Sequence, residues 1–130
     1  KENTNQKMLN NSIKIKKKII LNYKKFKIRI NKLSHKLNNE KNLIGYGAGQ
    51  MVPSFSYHLK SNLSFLEYIL DDNKNRAYKK YPYLIPKIKY FNKKLINNKK
   101  VLITALDGVN GIGKKLKKLN VEFYNPLSKV

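Results

Sequence analysis

A chain of 130 residues closes one hydrophobic core but has no room for a catalytic domain plus a separate specificity domain. It carries 29 basic and 7 acidic residues for a formal charge of +22, yet Arg29 and Arg76 are its only arginines, and it is also rich in asparagine, isoleucine and tyrosine. Readers of nucleic acid favour the planar arginine fork over the hydrated lysine, so the excess is expected to reflect A/T-rich codons rather than a nucleic-acid partner, a nucleic-acid-binding basic module being the alternative that the charge leaves open, while zero cysteines exclude disulfides and thiolate metal sites.

Residues 1–10 lack the apolar core of a signal peptide, and no later stretch approaches the roughly twenty apolar residues of a membrane span, which predicts a soluble, cytoplasmic protein without a membrane partner. A first residue that is lysine rather than methionine predicts a segment of a longer polypeptide. Residues 1–41 hold 13 basic and 2 acidic residues, against 16 and 5 in residues 42–130. Two regions are therefore expected: a basic N-terminal helix over 1–41 that packs on the domain, and an α/β domain over 42–130. Ile15, Ile19, Tyr23, Phe26, Ile30, Leu33 and Leu37 recur at steps of three and four and predict a long amphipathic helix over 12–38, with Ser12 as N-cap. Its apolar stripe needs cover from this domain, a coiled-coil partner or a further domain. A lysine-rich helix face also suits an anionic membrane, but a solvated face looks the same.

After residue 41, short apolar runs alternate with amphipathic stretches, the pattern of an α/β domain. Leu43 to Tyr46 is expected as a strand, Gly47 to Gly49 as a turn, and Met51 to Leu59 as a helix that tolerates Pro53 only in its first turn. Phe65 to Leu70 is expected as a second strand ending at Asp71 and Asp72, followed by a polar loop over 73–83. Ile85 to Tyr90 is an extended piece that Pro86 relegates to a sheet edge. Residues 92–98 predict a brief helix, Val101 to Leu106 a fully buried parallel strand, Val109 to Leu119 a helix, and Val121 to Tyr124 a last strand.

The strand Leu43 to Tyr46 runs into three alternating glycines, Gly45, Gly47 and Gly49, at the head of a helix. Such a turn lets a ligand approach backbone amides at the carboxyl edge of an open sheet. Asp71 and Asp72 then stand where a carboxylate would meet a ribose. A dinucleotide fingerprint needs a third glycine five positions after the first, where this chain has Gln50. An S-adenosylmethionine site usually has an acidic residue two before the first glycine, where this chain has Leu43. Both ligands are weakened, and a Rossmann-like turn without any ligand stays open beside a dinucleotide-binding domain. Asp107 and Gly108 follow the strongest strand and are expected on the same sheet edge, giving a cleft between two glycine-bearing turns. Tyr78, Tyr81, Tyr83 and Tyr90 lie among Lys79, Lys80, Lys87 and Lys89, an interleaving that suits base stacking and phosphate neutralisation but equally suits tyrosines buried under a loop.

The ordered set GYGAGQ at 45–50, ILDDNKN at 69–75, IPKIKYF at 85–91 and VLITALDG at 101–108 resembles the C-terminal domain of sugar C-methyltransferases over about residues 12–125. Gly45, Tyr46, Gly47, Ala48, Asp71, Asp72, Asn73 and Pro86 carry the resemblance. It implies a Rossmann-like, small, mostly parallel sheet flanked by helices and preceded by the long helix. It further implies an accessory domain that helps hold a nucleotide-linked sugar, while a preceding catalytic domain binds S-adenosylmethionine and supplies the acid/base residues. The substrate-contact or shape-determining set so implied is Gly45, Tyr46, Gly47, Ala48, Gly49, Asp71, Asp72, Asn73, Asp107 and Gly108, with no catalytic residue, no metal ligand and no methyl transfer by this segment alone. The chain departs from the family at Gln50 and Met51, where a lysine is common, and at Ala105 to Gly108, where the family has a tryptophan-bearing strand end.

Overall fold

The computed structural model describes residues 3–128. The chain opens with helix α1, Thr4–Leu37, which contains no acidic residue and eleven basic ones. Its start lies eight residues before the expected one. Nothing breaks the helix ahead of Ser12, whose hydroxyl bonds back to the Met8 carbonyl at 3.0 Å, and Asn3 caps the end by accepting the Asn5 amide at 3.3 Å. Then follow β1 (Leu43–Tyr46), α2 (Val52–Leu59), β2 (Ile69–Asp71), a 3-10 turn (Lys74–Arg76), β3 (Ile88–Tyr90), α3 (Lys93–Ile96), β4 (Lys100–Ile103), a second 3-10 turn (Leu106–Gly108), α4 (Val109–Lys118) and β5 (Phe123–Tyr124).

The five strands form one sheet in the order β3-β2-β1-β4-β5, and every pairing is parallel. Strand β1 is buried at all four positions because helices cover both faces of the sheet. Leu43 on one face joins Ile30 and Leu37 of α1 and Val52, Phe55 and Leu59 of α2; Ile44 and Tyr46 on the other join Ile96 of α3 and Val109 and Leu116 of α4. The two-residue period of the strand thus sorts the core into two layers. His58 of α2 meets Phe26 of α1 edge-on at 5.2 Å between ring centroids, which helps fix the C-terminal half of α1 against the domain.

Strand boundaries differ from the expectation where apolar residues serve turns instead of the ladder. Leu63, Phe65 and Leu66 form the approach to β2, with Leu63 at φ +61° and the Leu66 amide bonded to the Leu63 carbonyl at 3.0 Å. The ladder therefore begins only at Ile69 and includes Asp71. Pro86 precedes β3, which is the sheet edge, in keeping with its missing donor.

The order of the strands sets the place of the site. The chain builds outward from β1 to β3, crosses back to lay β4 on the other side of β1, and continues to β5. The segments that leave β1 and β4 lead to α2 and α4 on opposite faces of the sheet, and a crevice opens between their carboxyl ends.

Candidate functional site

Beyond Tyr46 the backbone turns sharply under three fixed contacts. The Gly47 amide donates to Leu70 of β2 at 2.8 Å, the Thr104 hydroxyl beyond β4 donates to the Gly47 carbonyl at 2.7 Å, and the Thr104 amide donates to the Tyr46 carbonyl at 2.9 Å. Gly47 sits at φ +101°, and a β-carbon there would lie 2.4 Å from the Ala105 β-carbon. The strand ends meet so closely that only glycine fits. Gly49 has no such conformation, and its added β-carbon would lie 3.3 Å from the Asp107 carboxylate and 3.6 Å from the Ala105 β-carbon.

Asp71 is buried and accepts the Ala48 amide at 2.7 Å, the Asn73 amide at 2.8 Å and the Arg76 guanidinium at 3.2 Å. Its carboxylate is consumed by the chain's own donors and latches the glycine turn to β2. Asp72 faces the other way. Its Oδ1 accepts from the Tyr46 hydroxyl and from Lys115 Nζ, both at 2.7 Å, while Lys115 also donates to the Tyr46 oxygen at 2.6 Å. Burial alone would raise the Asp72 carboxyl, but the bonds from Lys115 and Tyr46 and the lysine charge outweigh it and hold the carboxyl below its usual range. Burial first, then the bond to Asp72 and the neighbouring negative charges, push the Tyr46 phenol up.

A cleft of about 300 Å³ lies over the carboxyl edge, lined by Tyr46, Gly47, Gly49, Gln50, Asp71, Asp72, Arg76, Ala105, Asp107, Gly108 and Ile112. The structure thus brings seven of the ten expected site residues into one cavity. Gly45 is buried within β1 beneath Ile69 and Leu66, Ala48 is buried with its amide on Asp71, and Asn73 caps the Lys74–Arg76 turn by accepting the Asn75 amide at 3.0 Å. Among the described residues, Asp107 makes no hydrogen bond or ion pair, in contrast to Asp71 and Asp72. Gln50, Arg76, Ala105, Ile112 and the nearby Lys115 are site residues absent from the expected set. Arg76 carried one signal, being one of two arginines, whereas Lys115 is one lysine among many.

The tyrosine cluster divides. Tyr81 is half-buried and donates its hydroxyl to the Gly49 carbonyl at 2.7 Å, and burial above all pushes its phenol up to about 12. Tyr78 and Tyr83 are fully exposed, and Tyr90 lines a second cleft with Tyr78. Among the described residues, no three metal-ligating side chains converge, and no helix is long and apolar enough to cross a membrane. No family model, curated protein or solved structure matches the chain.

Proposed function

We propose that this chain is a Rossmann-like, substrate-holding domain of an S-adenosylmethionine-dependent sugar C-methyltransferase, and that its ligand is a nucleotide-linked sugar. The observation that carries the reading is the cleft at the point of strand reversal, where two glycine-bearing turns meet beside Asp107, which makes no ion pair among the described residues. The motif order that resembles the family supports it, since GYGA and DD stand at the carboxyl ends of adjacent parallel strands, Gly45 pairing with Ile69 and Tyr46 with Leu70.

In the parent enzyme S-adenosylmethionine supplies the methyl group. This chain's own glycine turn does not fit that cofactor or a dinucleotide, because Ala105 fills the space over Gly47 and the Asp71 carboxylate is spent on Ala48, Asn73 and Arg76. The reading therefore assigns the methyl donor to a preceding catalytic domain. What this chain offers a sugar is the Asp107 carboxylate as acceptor for ring hydroxyls, the exposed Gln50 as both donor and acceptor, and Ile112 as an apolar wall. In this reading Asp71 and Asp72 shape the rim and do not contact the ligand directly.

Calorimetric titration of the chain with uridine, thymidine, guanosine and cytidine diphosphate sugars tests the reading. Saturable binding by one of them, weakened at least about tenfold by Asp107→Ala through loss of a charged hydrogen-bond acceptor, is the expected result. Absence of binding by every member of the panel would overturn it.

A further inference from the structure

The second cleft, of about 440 Å³, opens at the carboxyl end of edge strand β3 and is lined by Tyr78, Lys89, Tyr90, Phe91, Asn92 and Leu95. Tyr78 is 92% exposed and held at φ +64°, a conformation that costs a non-glycine residue energy. It does not dangle. Its amide donates to the Ile88 carbonyl at 2.8 Å, and the Ile88 amide donates to the Lys79 carbonyl at 3.0 Å, so the loop is laced to β3. Tyr90 is exposed over 43% of its surface with Lys74 Nζ 5.3 Å from its ring centroid, and Lys89 Nζ stands 4.3 Å from the Tyr68 ring. Large flat apolar surfaces are thus displayed on a fixed frame with cations beside them, the arrangement that accepts a stacked heteroaromatic ring carrying negative charge.

The two clefts share one partition. Tyr46 lines the glycine cleft, Phe91 lines the aromatic one, and their centroids lie 5.7 Å apart with Lys115 Nζ 3.8 Å from the Phe91 centroid. Their charges differ. Among the described residues Glu40 and Glu122 pair with Lys100, Glu67 with Lys99, Asp71 with Arg76 and Asp72 with Lys115, which leaves Asp107 in the glycine cleft as the carboxylate without an ion pair. Lys74 and Lys89, beside the aromatic cleft, make no ion pair among the described residues. A free anion and amide group on one side suit sugar hydroxyls; exposed rings and free cations on the other suit a base and its phosphates.

We infer that the aromatic cleft at the end of β3 is a nucleobase subsite, with Tyr78 and Tyr90 as its stacking surfaces and Lys74 and Lys89 facing the phosphates. The inference rests on the proposed nucleotide-sugar reading and divides that ligand between the two clefts.

Calorimetry with free uridine, thymidine, guanosine and cytidine diphosphates, inorganic pyrophosphate and the matching nucleotide-sugars tests it on wild type, Tyr78→Ala, Tyr90→Ala, Tyr78→Phe and Asp107→Asn. Because both tyrosines are exposed, circular dichroism is expected to show all variants folded. Each alanine variant is expected to weaken the nucleoside diphosphate and the nucleotide-sugar about tenfold or more, with Tyr78→Phe retaining affinity and pyrophosphate insensitive to either. Asp107→Asn is expected to weaken only the nucleotide-sugar. Unchanged nucleotide affinity in both alanine variants would overturn the base subsite and leave the nucleotide-sugar reading standing. Binding that follows pyrophosphate alone would overturn the subsite too, and no binding by any nucleotide or nucleotide-sugar would overturn both.

Discussion

Ala48 donates its amide to the Asp71 carboxylate at 2.7 Å, tying the glycine turn after β1 to the end of β2 across 23 residues of sequence. Two carboxylate oxygens serve three donors here, the amides of Ala48 and Asn73 and the guanidinium of Arg76. A carboxylate in this position looks like a ribose ligand in sequence, but its lone pairs are already committed. The candidate ligand contacts therefore move toward Asp107 and Gln50, on the β4 side of the crevice and at the head of α2.

Asp71→Asn turns one acceptor oxygen into a donor, and an amide group then faces either a backbone N–H or the guanidinium. We expect a loss of about 2–4 kcal/mol, the range for breaking a buried, charge-assisted network. Urea unfolding at pH 7 measures it, and a loss below about 0.5 kcal/mol would show that other bonds hold the turn.

Gly47 and Gly49 look alike in the motif and are expected to behave differently. Gly47→Ala places a β-carbon 2.4 Å from that of Ala105 at φ +101°, so both sterics and backbone oppose it, and a loss of about 3 kcal/mol or more is expected. Gly49→Ala meets the far end of Asp107 at 3.3 Å and the Ala105 β-carbon at an ordinary 3.6 Å, and is expected to stay within about 1 kcal/mol of wild type. Thermal unfolding of the pair discriminates them; equal losses would mean that conformational freedom at Gly49 also matters.

The parallel α/β arrangement was legible because Leu43 to Tyr46 and Val101 to Ile103 are charge-free runs, as strands covered on both faces must be. The start of β2 was not, because Phe65 and Leu66 pack from a turn and an apolar side chain does not declare whether its backbone is in a ladder. The start of α1 was missed because its apolar stripe thins before Ile15 while nothing interrupts the helix back to Asn3. Of the site, the glycines and aspartates were visible as types at a spacing. What neutralises them was not: Lys115 reaches Asp72 across 43 residues and is chemically identical in sequence to every other lysine.

Acid should weaken one contact in a measurable window. The Asp72 carboxyl titrates below its ordinary value of 3.8 in the folded chain. Its stabilisation is therefore complete above that value and is lost as pH falls below it through the folded value. Asp72 is more than half exposed, so Asp72→Asn is expected to cost only about 0.5–1 kcal/mol at pH 7. The gap between variant and wild type should narrow as pH falls through the folded value and the Asp72 carboxyl is neutralised. Glu40, held below its ordinary range first by its bond from Tyr124 and then by Lys100, titrates in both proteins and cancels in the difference. Paired urea melts across this range test the sign, and a gap that widened on acidification would contradict it.

Helix α1 offers the sharpest contrast between one sequence pattern and two environments. Ile15, Ile19, Ile30 and Leu37 share a single stripe, yet Ile30 and Leu37 are buried against the sheet while Ile15 and Ile19 are exposed. Ile30→Ala and Leu37→Ala remove buried methyl groups and leave cavities, for which a loss of about 2–4 kcal/mol each is expected. Ile15→Ala and Ile19→Ala lose no contact with the core and replace a β-branched residue by the best helix former, so a change within about 0.5 kcal/mol is expected, with helicity unchanged or slightly raised. Chemical unfolding of the four variants followed by circular dichroism measures both quantities. Large losses at Ile15 and Ile19 in this chain would mean that the front of the stripe is covered in solution, by a second copy or by a fold-back of the helix.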